Sequence, residues 1–215
     1  MAKLKYTREQ IEATVEGKGY KYFVGYGDSS RFVPFDVNII GIRNNKTKNR
    51  VTNAFDDLIT LSYINEQGEW QYHEYGCTTD PGLYWTEEKL INKDGTAILK
   101  PGQYRKSHKI GLHQGKYEAL VQRGKLTVYR DGDMDNQYDL NEEDTQNGLF
   151  GINIHRATAK KGGKSIRVDK WSAGCQVIAS NDDYNEFMSI VNKAKDNWGN
   201  NFTYTLIESN DIVAL

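Results

Sequence analysis

Two apolar runs of this 215-residue chain each end in a side chain able to do covalent chemistry. Leu149 to Ile154 alternates like a buried strand and delivers His155. Further on, Trp171-Ser172-Ala173-Gly174 leads to Cys175, and the chain continues as Gln176-Val177-Ile178. Brought together by neighbouring strands, a cysteine and a histidine form a thiolate–imidazolium pair. Such a pair attacks a carbonyl and holds the acyl group as a thioester.

The residues around the pair have matching roles. Gly174 lets the backbone turn tightly, which places the Cys175 amide to donate to an oxyanion. His155 takes the thiol proton and returns it to the leaving amine. Ser172 orients the imidazole or holds the turn. Gln176 is a candidate donor to the scissile carbonyl, and Arg156 or Arg167 a candidate positive charge for lowering the thiol pKa and binding a peptide carboxylate. Trp171 either walls the cleft or packs in the core. The plainer alternatives are a buried structural thiol for Cys175 and a satisfied core histidine for His155. His73, His108 and His113 have no metal-ligand spacing, which argues against a zinc peptidase and leaves no catalytic metal, although His113 is placed to line the cleft.

His155 followed by Ser172-Ala173-Gly174-Cys175 resembles the signature of YkuD-type L,D-transpeptidases, a His and then Ser/Thr-His-Gly-Cys. The likeness covers the motif well and residues 36–207 loosely. It has three departures: Ala173 stands at the second His, Gln176-Val177 replaces an apolar residue followed by Arg or Asn, and Lys160-Lys161-Gly162-Gly163-Lys164 lengthens the loop. The resemblance implies a mainly β, L,D-transpeptidase-like sandwich or barrel with one or two short helices. It also implies cysteine-dependent acyl transfer on peptidoglycan stem peptides, by peptide cleavage (hydrolase) or L,D-transpeptidation (transferase). The chain is also similar in look to bacteriophage-encoded members, such as endolysins. A virion structural or cell-wall-binding protein that keeps the fold without activity is the alternative, and the incomplete motif favours it.

Composition bounds the partners. Net charge is −1, from 28 basic and 29 acidic residues, so no global field points to nucleic acid. Fourteen Tyr, seven Phe and four Trp supply core volume despite a mean hydropathy of −0.73. Two cysteines make no disulfide framework, and Cys77 reads as a small buried hydrophobe unless it bridges to Cys175. The polar start, Met1-Ala2-Lys3-Leu4-Lys5, lacks an apolar leader, and no stretch approaches a membrane span. The expected setting is therefore the host cytoplasm until lysis, or a virion, with action at the bacterial cell wall.

The elements that must position these residues read as a meander. Residues 1–35 form an N-terminal extension, with a helix opened by a Thr7/Gln10 capping box and stopped at Gly17, followed by an aromatic segment. Residues 36–215 form the catalytic domain. Strands are expected at 36–43, 57–64, 69–75, 96–99, 102–104, 118–122, 126–129 and 203–207, and a helix capped by Ser180 at 181–195. Thr78 and Thr79, before Pro81-Gly82, either close a turn or bind substrate. Asp131, Asp133, Asp135, Gln137, Asp139 and Glu142 occupy positions 1, 3, 5, 7, 9 and 12 of a twelve-residue loop. That is the ligand spacing of a calcium loop, although no helices flank it. Such an ion would stiffen the loop rather than do chemistry, and an ordinary acidic surface loop is the alternative.

Overall fold

Alternation along the strands sets the two faces of the main sheet. In β1 (Asn38–Arg43) Ile39 points inward, while Ile40 and Ile42 point outward to a separate apolar cluster. β2 (Asp57–Ile64) and β3 (Trp70–Thr78) repeat the pattern: Ile59, Leu61, Tyr75 and Cys77 face the main core, and Leu58, Trp70 and Tyr72 face out. The remaining strands are β4 (Thr96–Leu99), β5 (Gly102–His113), β6 (Tyr117–Gln122), β7 (Leu126–Asp131), β8 (Thr145–Gly148), β9 (Ile154–Arg156), β10 (Gln176–Ile178) and β11 (Phe202–Glu208). Eight of them close into a barrel in the order β1-β11-β5-β6-β9-β10-β3-β2. The other three make a second sheet, β4-β7-β8. The computed structural model describes residues 4–27 and 30–215. Met1 to Lys3 of the polar start, and Asp28-Ser29 within the N-terminal extension, lie outside the described residues.

Two helices cover the barrel. α1 (Arg8–Gly17) carries the expected capping box, with Thr7 Oγ1 accepting from the Gln10 amide and Gln10 Oε1 accepting from the Thr7 amide. Its Ile11 and Val15 pack with Ile40, Ile42 and Ile207 on the outer face. The N-terminal helix thus shares a hydrophobic cluster with the barrel strands. α2 (Asn181–Trp198) is capped by Ser180 and buries Tyr184, Phe187, Ile190, Val191 and Ala194 in the main core. It runs three residues beyond the expected end, to Trp198, and is capped by Gly199. No helix among the described residues is long and apolar enough to cross a membrane.

The chain is mainly β, as its alternation implies, but the strand leading to the histidine differs from expectation. β9 covers only residues 154–156, and 149–153 is irregular, with Leu149 68% exposed and Gly151 at φ +74°. The alternation of Leu149 to Ile154 therefore belongs to a surface loop with one wet side. β5 is conversely far longer than expected. Its Arg105-Lys106-Ser107-His108-Lys109 stretch hides a strand whose register on β11 shifts between Phe202 and Tyr204.

Candidate active site

The parallel pairing of β9 and β10 brings the two candidate residues to one place. Gln176 pairs with Ile154 and Val177 with His155, and the Gln176 amide donates to the Asn153 carbonyl at 2.9 Å. Cys175 and His155 both line a cleft of about 800 Å³. The Cys175 sulfur accepts from the Asn153 amide at 3.4 Å and donates to the Gly151 carbonyl at 3.5 Å. Among the described residues, no hydrogen bond joins it to an imidazole.

The turn before Cys175 is built by Ser172 and Gly174. Ser172 is fully buried; its hydroxyl donates to the Cys175 carbonyl at 2.7 Å and accepts from the Gly174 amide at 3.2 Å. Of its two expected roles, it takes the structural one. Gly174 sits at φ +114°, where a Cβ would overlap the Ala97 carbonyl oxygen of β4. Only glycine fits both the conformation and the space.

Gln176 does not reach the cleft. Its amide nitrogen donates to the Thr79 and Gly174 carbonyls, at 3.3 and 3.2 Å, and its oxygen accepts from the Tyr204 hydroxyl at 2.7 Å. Both amide hydrogens are spent inside the barrel, so its placement does not fit the expected donation to substrate. Period-two alternation accounts for this: Cys175 and Gln176 are adjacent, so they point to opposite faces. Thr78 and Thr79 are also buried. Thr78 donates to the Asp80 carbonyl, and Thr79 donates to the Asp57 carboxylate and accepts from Arg43, so both serve the turn.

His155 is 3% exposed. Its Nδ1 lies 2.9 Å from the Arg156 carbonyl, which only accepts, so Nδ1 carries the proton and Nε2 is left as the basic atom. The His113 ring stacks on it with centroids 4.1 Å apart, and the Asn153 side-chain amide donates to His113 Nδ1 at 3.1 Å. Burial, reinforced by His113 and opposed by the Arg156 carbonyl, pushes His155 down to about 4. Burial also pushes the Cys175 thiol up to about 11, against the Asn153 amide, although the residue keeps a partly exposed face. Both shifts favour the uncharged forms. The direction of both shifts runs against the expected thiolate–imidazolium pair.

A pH profile follows from those signs. A thiol raised to about 11 gains thiolate with every step of pH below that value. Alkylation of Cys175 in the free protein is expected to accelerate about tenfold per pH unit from pH 6 to 9. Rate measurements with iodoacetamide, using intact mass as readout, check this. A reactive plateau below pH 6 would instead indicate an ion pair.

The cleft has a marked charge. Lys116, Arg130, Arg156 and Lys170 line it, and among the described residues no acidic side chain does, in a chain of net charge −1. Arg156 stacks on Tyr117 at 4.2 Å, while Arg167 lies outside the cleft and pairs with Asp169 at 3.5 Å. Trp171, 46% exposed, walls the cleft rather than the core. Tyr117, Asn153, Arg130, Lys116 and Lys170 carry no motif; only their place around the cysteine, the first four near strand ends and Lys170 in the loop before β10, reveals them. Cys77 and Cys175 are both free. Of the six expected loop positions for calcium, the structure gathers only Asp131, Asp133 and Asp139. Asp135 is instead bonded by the Gln137 amide, and Glu142 by Lys100 and Tyr129.

Compared with models of protein families, with curated proteins and with solved structures, the chain matches none.

Proposed function

We propose that the chain is a cysteine-dependent acyl-transfer enzyme of L,D-transpeptidase-like chemistry that acts on peptidoglycan stem peptides. The observation that carries this reading is the placement of His155, on β9, and Cys175, just before the adjoining parallel strand β10, in one cationic cleft. The sulfur attacks an amide carbonyl as its proton passes to His155 Nε2. The S–C bond forms, the C–N bond breaks, and the proton leaves with the amine. Water or an acceptor amine then resolves the thioester, which gives cleavage or a cross-link. No acceptor for the Cys175 amide is found among the described residues, which leaves it free to donate to the oxyanion. His113, stacked on His155, supplies an imidazole near the site where Ala173 lacks one. The four cations suit the free carboxylates of a stem peptide.

A second reading, a wall-binding protein without catalysis, is favoured by one observation: the thiol is bonded to main-chain groups rather than to an imidazole. Digestion of purified peptidoglycan followed by mass spectrometry separates the two. New or exchanged stem-peptide termini are the expected result. Unchanged fragments across several wall types, with the protein retained on the wall, would overturn the enzyme reading.

A further inference from the structure

β7 ends in a carboxylate with no visible compensation. Asp131 is fully buried, and among the described residues neither of its side-chain oxygens has a hydrogen-bond partner. Leaving a buried charge unpaired is costly, and such groups are almost always matched by a cation or by donors. Here the neighbours make matters worse. Asp133 and Asp139 offer oxygens that lie, together with that of Asp131, within 4.8 Å of one another.

We propose that Asp131, Asp133 and Asp139 bind one calcium ion. Three carboxylates form an all-oxygen donor set, which selects a hard cation. The three oxygens lie within 4.8 Å of one another, close enough for one ion to bridge. Magnesium dehydrates reluctantly and keeps several waters, whereas calcium readily takes several protein carboxylates, so the set suits calcium. The site lies at the end of the small sheet, where Asp131 pairs with Thr96 of β4. Gly95, Thr96, Ala97 and Arg130, immediately beside it, line the Cys175 cleft, and Ala97 is the residue against which Gly174 packs. The ion thus fixes the wall that supports the nucleophile turn. This assignment stands whether or not the cleft is catalytic.

The test is calorimetric titration of the chelator-stripped full chain with calcium chloride, with thermal unfolding followed in parallel and magnesium chloride as the comparison. One calcium per chain is expected. At a hundredfold excess over the dissociation constant, Tm rises by about 5–10 °C, with a smaller rise for magnesium. Asp131→Asn removes the buried charge, so the metal-free variant is at least as stable as the metal-free parent, yet its Tm no longer responds to calcium. Asp133→Asn, at an exposed position, loses the response too and serves if Asp131→Asn does not fold. No heat and no Tm shift in the parent up to about 10 mM calcium would overturn the proposal. So would an undiminished shift in either variant.

Discussion

Cys175→Ala is expected to lower the release of stem-peptide fragments from peptidoglycan by at least about a thousandfold, because a covalent route has no substitute for its nucleophile. The variant should fold normally. Among the described residues the sulfur makes two hydrogen bonds, both long, at 3.4 and 3.5 Å, and the residue keeps a partly exposed face, so its removal opens no closed core cavity. Binding to the wall should persist, because the cations that face the cleft, Lys116, Arg130, Arg156 and Lys170, are unchanged. Fragment quantification, a melting curve and a wall pull-down on the same preparation check all three expectations. Retained cleavage would remove Cys175 from the mechanism.

Gly174→Ala should damage both the fold and the activity. At φ +114° an L side chain is strained, at about 1–3 kcal/mol, and the added Cβ also overlaps the Ala97 carbonyl of β4. Relief means moving either the small sheet or the turn. A moving turn breaks the Ser172–Gly174 and Gln176–Gly174 hydrogen bonds, which are the frame of Cys175. A total loss of about 2–4 kcal/mol is expected in urea unfolding, together with loss of activity in the fraction that remains folded. A midpoint within error of the parent, with full activity, would show that the turn is not built as described.

Much of this arrangement was legible in the sequence, for identifiable reasons. β2 and β4 fall at the expected residues, and the Thr7/Gln10 and Ser180 caps start both helices. Cys175 and His155 are read from residue type and spacing and do share the cleft. Other features depended on tertiary pairing. The parallel β1–β11 and β9–β10 pairs join residues distant in the chain, and no local period encodes them. Gln176 was misplaced because its neighbour's chemistry was extended to it, when adjacent strand residues face opposite ways. The shifts of the pair run against the expected ion pair because burial sets them, and burial is not local. Asp131, Asp133 and Asp139 were legible as alternating carboxylates, but only the fold sends Asp135 and Glu142 elsewhere.

The central claim, that Cys175 takes up the acyl group, is tested most directly by intact-protein mass spectrometry of an acid-quenched reaction with soluble stem peptides. The account predicts an adduct with the mass of the acyl portion, mapped to Cys175, released by hydroxylamine and absent from Cys175→Ala. Fragments that accumulate while the protein mass stays unmodified at every time, or an adduct on another residue, would contradict it.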